Sequence, residues 1–127
     1  MIGRPLALVV DDSRAIRRIA ADILRELGFQ VGEAEHGAAA VEFCRRAVPA
    51  FVLLDWNMPE MDGITCLRAL RATPLEPRPT VMMCTTENGL SKIREALEAG
   101  ADEYIMKPYD REVLLAKLEQ LGLMERA

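Results

Sequence analysis

The sequence predicts an α/β fold built on a doubly wound parallel sheet of five strands. Two observations predict it. Five short segments rich in apolar, β-branched or aromatic residues recur along the chain, and each is followed by a stretch with apolar residues at helical spacing. Because parallel strands need crossover connections, and these are right-handed, such a repeat places helices on both faces of one open sheet.

The predicted strands are of two kinds. Three are continuous apolar runs, typical of strands buried on both faces of a parallel sheet: Leu6–Val10, Phe51–Leu54 and Thr80–Cys84. Two are weaker, with β-branched or aromatic residues between turn-like neighbours: Gln30–Ala34 and Glu103–Met106.

A helix is predicted after each strand. The first begins with Ser13 as its N-cap and ends with Gly28 as its C-cap. Its apolar positions at helical spacing are Ile16, Ile19, Ala20, Ile23, Leu24 and Leu27. The other four helices are predicted over Gly37–Ala47, Ile64–Ala72, Leu90–Ala99 and Asp110–Leu121.

This (βα)5 order predicts a flavodoxin-like sheet with strand order 2-1-3-4-5. In such sheets ligands bind beyond the carboxyl ends of strands 1 and 3, where the strand order reverses. We therefore expect the chemistry of the chain at that edge.

Length and charge narrow the functional classes. A chain of 127 residues falls within the usual span of one domain, so we expect residues 1–127 to form a single domain. The net charge of −4 opposes non-specific attraction to nucleic acid. No segment reaches the apolar length of a membrane span, and the first residues lack the pattern of a signal peptide. We expect a cytoplasmic protein with neither nucleic-acid partners nor membrane insertion.

The three cysteines, Cys44, Cys66 and Cys84, lack C-x-x-C spacing and lie within apolar segments. These features predict small buried apolar side chains rather than a metal or redox site.

Polar residues follow four of the predicted strands. Asp11 and Asp12 follow the first strand, Asp55 the third, Thr85 the fourth and Lys107 the fifth. A single aspartate pair after a strand is common as a helix cap or turn, but four strand ends carrying such residues favour a chemical site. Three carboxylates at one edge repel one another unless a cation neutralises them, and Mg²⁺ prefers such oxygen ligands. The sequence therefore predicts an acidic magnesium pocket.

A carboxylate beside a metal can attack phosphorus and form an acyl phosphate. Asp55 is the candidate nucleophile. The Lys107 ammonium and the Thr85 hydroxyl are candidates for neutralising the oxygens of the transferred phosphoryl group.

Several segments resemble the CheY-like receiver family of two-component signalling, and the resemblance extends from Leu6 to Leu121. The matching segments are LVVDDS (residues 8–13), LDWNMP (54–59) with MDG (61–63), CTTE (84–87) and KPY (107–109). The resemblance implies that the single domain expected over residues 1–127 is a receiver domain, and the length leaves no room for an output domain. The resemblance also implies phosphorylation by a histidine kinase with Mg²⁺ and a role in chemotaxis or motility control rather than turnover of a substrate. Because no output domain is expected, signalling should occur by altered protein–protein binding.

Carried over by position, the resemblance implies a metal site and an acceptor. Asp12, Asp55 and the backbone carbonyl of Asn57 would ligate Mg²⁺, and Asp11 would hold a metal-bound water. Asp55 would accept the phosphoryl group.

The resemblance also implies switch residues. The Thr85 hydroxyl would follow the phosphoryl group, Lys107 would contact it, and the Tyr104 ring would turn inward on activation. The Lys107–Pro108 peptide bond is expected to be cis.

Two further positions are implied to modulate dephosphorylation: Asn57, two residues after the acceptor, and Glu87, two residues after the threonine. This pair resembles that of stand-alone chemotaxis regulators, whose acyl phosphates are short-lived. Thr86 is bulkier than the small residue common at its position. The target protein is expected on the face formed by the fourth helix, the fifth strand and the fifth helix.

Two other features carry weaker predictions. His36, the only histidine, is interpreted as an ordinary solvated loop residue. Arg14, Arg17 and Arg18 open the first helix and are interpreted as a solvated face rather than a phosphate-binding cluster, although Arg17 or Arg18 facing a partner stays open.

Other functions remain as alternatives. An aspartyl-phosphate hydrolase typically carries a second aspartate as the acid where this chain has Asn57. A flavodoxin-type electron carrier is disfavoured because no Ser/Thr/Gly-rich phosphate loop follows the first strand. The intact set of polar strand-end residues argues against a constitutive scaffold. Within the receiver interpretation, motor control, a phosphorelay intermediate and a phosphate sink all remain open.

Overall fold

The computed structural model describes residues 4–58, 61–86 and 90–124, and within these ranges strands and helices alternate in five βα units. The strands are β1 (Leu6–Val10), β2 (Gln30–Ala34), β3 (Phe51–Asp55), β4 (Thr80–Thr85) and β5 (Glu103–Met106). The helices are α1 (Arg14–Glu26), α2 (Gly37–Arg46), α3 (Gly63–Ala72), α4 (Leu90–Glu98) and α5 (Arg111–Gln120). The predicted succession of elements is confirmed; β1, β2 and β5 have the predicted boundaries, and those of the other elements differ by one residue.

The five strands form one parallel sheet in the order β2-β1-β3-β4-β5. This confirms the predicted flavodoxin-like topology. β1 and β3 are neighbours, with Val10 opposite Leu54, and Asp55 at the end of β3 lies opposite Cys84 of β4. The ends of β1 and β3 thus flank the point where the strand order reverses, which is where a crevice forms in such sheets.

Two apolar cores lie on opposite faces of the sheet. Leu8 and Val10 pack with residues of α2 and α3, whereas the alternate positions Ala7 and Val9 pack with residues of α1 and α5. Side chains along a strand alternate between faces, so a strand with no polar position is buried on both sides. None of the helices in the described ranges has the length and apolar sequence needed to cross a membrane.

Both ends of α1 follow the local signals of the sequence. The Ser13 Oγ accepts a hydrogen bond from the Ile16 N–H at 3.3 Å, which confirms Ser13 as the N-cap. The C-cap is Leu27, one residue before the predicted Gly28. Gly28 follows it with a φ of 105°, a conformation that favours glycine, and its N–H donates to the Arg25 carbonyl.

His36 caps α2, so its interpretation as an ordinary solvated loop residue is wrong. Its Nδ1 accepts a hydrogen bond from the Ala39 N–H at 3.0 Å, and the side chain is half-buried. A neutral imidazole nitrogen can satisfy a free amide at a helix start as a serine or aspartate oxygen does.

The apolar face of α1 also differs from its prediction. Ala20, Ala21 and Leu24 are the buried residues of the helix, whereas Ile16 and Ile19 are 44% and 58% exposed. A period of 3.6 residues identifies an apolar stripe but does not determine how much of its width the sheet covers.

Candidate functional site

Three carboxylates meet at the carboxyl edge of the sheet. Asp11 and Asp12 follow β1 and Asp55 ends β3, and each offers an oxygen that lies within 4.8 Å of the others. Asp11 and Asp55 are buried, with 5% and 4% of their surface exposed, whereas Asp12 is exposed. The grouping that the strand ends predicted is therefore present, with one carboxylate facing solvent.

Lys107 joins this cluster from the end of β5. Its Nζ lies 2.9 Å from Asp55 Oδ1 and 3.2 Å from Asp11 Oδ2, so one ammonium bonds two of the three carboxylates. The backbone N–H of Lys107 donates to the Thr85 carbonyl at 2.8 Å, which ties the lysine to the end of β4. The Lys107–Pro108 bond is cis, as expected.

Burial and neighbouring charges shift the pKa values of Asp55 and Lys107. Burial raises the pKa of the Asp55 carboxyl; the hydrogen bond from Lys107 opposes this, and the nearby Asp11 charge adds to it. Burial alone would lower the pKa of Lys107, but its hydrogen bond with Asp55 and the surrounding negative charge raise it above the ordinary value. Lys107 is consequently charged throughout the neutral range.

Thr85 and Tyr104 lie on the same face of the sheet. Thr85 is buried at the end of β4 and pairs with Met106, while Tyr104 pairs with Met83, two residues earlier on β4. Because positions two apart share a face, both side chains project toward the same layer. The Tyr104 ring is half-buried, and Lys117 Nζ lies 4.9 Å from its centre.

Of the two predicted modulators, one lies in the described residues. Asn57 is exposed, two residues after Asp55. Glu87 lies outside the described residues.

Gly63 lies against the end of β3, beside Asp55. The sequence indicates this glycine only as part of the MDG segment. A Cβ at this position would lie 2.5 Å from the Asp55 carbonyl oxygen and 2.8 Å from the Trp56 Cα. The Gly63 N–H donates to the Trp56 carbonyl at 2.8 Å, so α3 begins directly against the end of β3. Asp62 before it accepts from the Thr65 N–H at 2.9 Å and caps the helix.

An apolar groove borders the pocket. Its walls are formed by α1 and by the residues that follow β5, and it has a volume of about 420 Å³. Ile16 and Ile19 line one side, Pro108 and Tyr109 line the other, and Lys107 lies at its margin.

The donor set fits a hard divalent cation. Three carboxylates and one ammonium leave a charge of −2 (−3 + 1), which Mg²⁺ balances. Oxygens that share one Mg²⁺ lie at most about 4.2 Å apart, so a cluster within 4.8 Å matches direct ligation combined with ligation through water. The single exposed carboxylate, Asp12, leaves the cluster open to solvent.

The chain thus combines a doubly wound sheet with an aspartate cluster, a buried threonine and a lysine at its carboxyl edge. The family model for the response regulator receiver domain matches residues 7–119. The chain belongs to this family.

Several relatives are chemotaxis proteins. The chain is 44% identical over 114 residues to the chemotaxis protein CheY1 of Helicobacter pylori (strain J99), covering 88% of this chain and 92% of that protein. Among solved structures, chemotaxis protein CheY4 of Vibrio cholerae superposes with a TM-score of 0.88 at 30% identity, covering 93% of this chain and 98% of that one. The chain is accordingly a phosphorylation-dependent signalling switch of the chemotaxis type, and proteins of this kind are not classical turnover enzymes.

A further structural neighbour bears on the metal. The receiver domain of the sensor histidine kinase PA1611 from Pseudomonas aeruginosa, described with a magnesium ion coordinated in its active-site cleft, superposes with a TM-score of 0.82. It is 29% identical to this chain, and the match covers 93% of this chain and 97% of that one.

Proposed function

We propose that Asp55 accepts a phosphoryl group from a histidine kinase, with Mg²⁺ held in the carboxylate cluster, and that phosphorylation changes the binding of a partner protein. One observation carries the proposal: Asp55 ends the central strand, is buried, and lies 2.9 Å from the Lys107 ammonium within an oxygen cluster. A buried carboxylate paired in this way is held in place for reaction with phosphorus.

In the transfer step, an Asp55 carboxylate oxygen forms a bond to phosphorus as the bond from phosphorus to the donor's imidazole nitrogen breaks. The imidazole keeps the electron pair of that bond. Asp12, Asp55 and the Asn57 carbonyl are the proposed metal ligands, and Asp11 is proposed to hold a metal-bound water. The ion supplies neutralisation of the phosphoryl oxygens when bound.

Lys107 and Thr85 are proposed to contact the phosphoryl group. The Lys107 ammonium, already between Asp55 and Asp11, is placed to exchange a carboxylate partner for a phosphoryl oxygen. The buried Thr85 lies on the strand next to Asp55 and is the proposed hydroxyl partner of the phosphoryl group.

The proposed output face consists of α4, β5 and α5. Thr85 and Tyr104 project toward the same layer, so movement of the hydroxyl toward the phosphoryl group frees space on the side where the Tyr104 ring lies. α4 is held to the rest of the fold by few buried side chains: Ala96 is its buried residue among those described, and Leu97 is 47% exposed. A phosphorylation signal can reach a partner here only through a difference in affinity between two conformations.

Labelling of the protein tests the proposal. Acetyl phosphate or a cognate kinase with Mg²⁺ should label wild-type protein, and Asp55→Asn should remove the label. Asp62→Asn is the matched control, because Asp62 is an exposed helix cap on the same side of the molecule and asparagine keeps the cap. Undiminished labelling of Asp55→Asn would place the acceptor elsewhere.

The pathway is a separate proposal. Motor control is favoured by the chemotaxis-type relatives, while a phosphorelay intermediate or a phosphate sink would use the same pocket. Partner capture with and without beryllofluoride, a phosphoryl mimic, separates the output from the acceptor chemistry. Equal capture in both conditions, or capture unaffected by substitutions at Tyr104, Lys92 and Glu95, would refute the switch while leaving the fold intact. The organisation of residues 1–127 as one domain and a cytoplasmic location remain predictions.

A further inference from the structure

Arg17 is largely buried although it lies on a surface helix. Its side chain is 13% exposed, whereas that of the next residue, Arg18, is 66% exposed. Arg17 Nη1 donates to the main-chain carbonyl of Asp11 at 2.8 Å, and Nε donates to Glu33 Oε1 at 2.9 Å. The interpretation of this arginine as part of a solvated face is therefore wrong.

The hydrogen bond from Arg17 is one of four that hold Asp11 in place. The N–H of Asp11 donates to the Ala34 carbonyl at 3.2 Å, and Asp11 Oδ1 accepts from the Ser13 N–H at 2.9 Å. Asp11 Oδ2 accepts from Lys107 at 3.2 Å. With its carbonyl bonded to Arg17, Asp11 has a partner at its amide, at its carbonyl and at both carboxylate oxygens.

The same bond orients the next residue. The peptide group that joins Asp11 to Asp12 is planar, so a fixed carbonyl fixes the plane from which the Asp12 chain continues. Asp12 is the exposed carboxylate of the cluster. Arg17 thus acts on the carboxylate that has the least support from burial.

Glu33 determines where the Arg17 charge lies. It accepts from Nε, and Arg25 Nη2 lies 3.7 Å from its second oxygen, so Glu33 is held between two arginines. A guanidinium is planar and donates in two directions at once, here to the Asp11 carbonyl and to Glu33. The positive charge is thereby engaged with Glu33 and a carbonyl, which leaves the pocket carboxylates available to a cation.

We propose that Arg17 is a positioning residue of the divalent-cation pocket, and that with Glu33 it sets the orientation of the Asp11–Asp12 peptide and so the affinity for Mg²⁺. This role rests on the magnesium site of the proposed function. Residues that orient metal ligands through hydrogen bonds typically contribute about 10–100-fold to metal affinity.

The test is a Mg²⁺ titration followed by calorimetry and by the fluorescence of Trp56, the single tryptophan. Arg17→Met should weaken Mg²⁺ binding about 10-fold. Arg18→Met, the matched control on the neighbouring exposed residue, should bind as wild type does. Arg17→Lys should lie between, because an ammonium can reach one partner but lacks the planar fork for both.

A second variant distinguishes positioning from bulk stability. Glu33→Gln should weaken binding less than Arg17→Met, and the double variant should match Arg17→Met alone, because Glu33 acts through Arg17. The melting temperature of each variant without metal is measured in parallel, so that affinities are compared on folded protein; if Arg17→Met does not fold, Arg17→Lys and Glu33→Gln decide.

Binding by folded Arg17→Met within two-fold of wild type, or additive effects of the two substitutions, would overturn the positioning role alone. Absence of Mg²⁺ binding by the wild-type protein would overturn the magnesium site and this role together.

Discussion

The ammonium of Lys92 lies 5.1 Å from the centre of the Trp56 ring, so a lysine in the first turns of α4 contacts the residue that directly follows the acceptor aspartate. Trp56 is buried, and its backbone N–H donates to the Cys84 carbonyl, which fixes the backbone of Trp56 against β4. This cation–π contact links the pocket to α4, in which Ala96 is the one buried residue among positions 91–98.

Removal of that contact should loosen α4. Lys92→Met is expected to lower the free energy of unfolding by about 1 kcal/mol and to change the emission of Trp56, because the cation over the ring is lost. Urea unfolding followed by circular dichroism, together with emission spectra, measures both effects. Arg94→Met, on an exposed position of the same helix, is the control; equal losses in the two variants would mean that the ring contact contributes nothing.

Mg²⁺ should stabilise the protein through the carboxylate cluster. Saturating Mg²⁺ at about 100 times its Kd adds about 2.7 kcal/mol to the free energy of unfolding, because the ion binds only the folded state. Asp12→Ala should remove most of this gain, whereas Asp22→Ala, on an exposed face of α1, should keep it. Thermal unfolding with Mg²⁺ and with a chelator gives the result, and an Asp12→Ala protein that is still fully stabilised would contradict the ligand assignment.

The acyl phosphate on Asp55 should be short-lived. Asn57 is exposed beside the acceptor and, with Glu87, is expected to leave a path for attacking water. Loss of label after removal of the donor should take minutes with Mg²⁺ and should slow in a chelator. Asn57→Leu should lengthen the lifetime several-fold by blocking water, while Asn57→Ala should not lengthen it. A lifetime of hours that a chelator does not change would refute both parts.

The three cysteines should be unreactive in the folded protein. Cys44, Cys66 and Cys84 are buried, and burial raises the pKa of their thiols to about 11, about 12 and about 12. At pH 8 about one thiol in a thousand, or fewer, is then ionised, and the thiolate is the reactive form. Ellman's reagent should label none of them before urea is added and all three afterwards. Ser91→Cys, at an exposed position, should react at once and serves as the control.

Loss of the His36 cap should destabilise α2. His36→Ala removes the acceptor of the Ala39 N–H and should lower the free energy of unfolding by about 1 kcal/mol. His36→Asn should retain most of the wild-type stability, because the amide oxygen of asparagine can also accept this hydrogen bond. Chemical denaturation of the three proteins at neutral pH measures the difference. Equal free energies of unfolding for the alanine variant and the wild type would show that the cap does not contribute to stability.

Local patterns in the sequence specify the strands and helices and the sheet edge at which the polar residues lie. Apolar runs and helical spacing depend on residues a few positions apart, and so do caps such as Ser13 and the turn at Gly28. Parallel strands bring their carboxyl ends together whatever the details of packing, which is why Asp11, Asp55 and Lys107 could be grouped before any distance was known.

Contacts between distant parts of the chain have no local signal in the sequence. The bond between Lys107 and Asp11 joins residues 96 positions apart, and the burial of Arg17 depends on β2 lying beside β1. Gly63 is required only because α3 begins against the Asp55 carbonyl. Such contacts depend on sheet register and helix position, which arise from packing of the whole chain and which no spacing within one segment specifies.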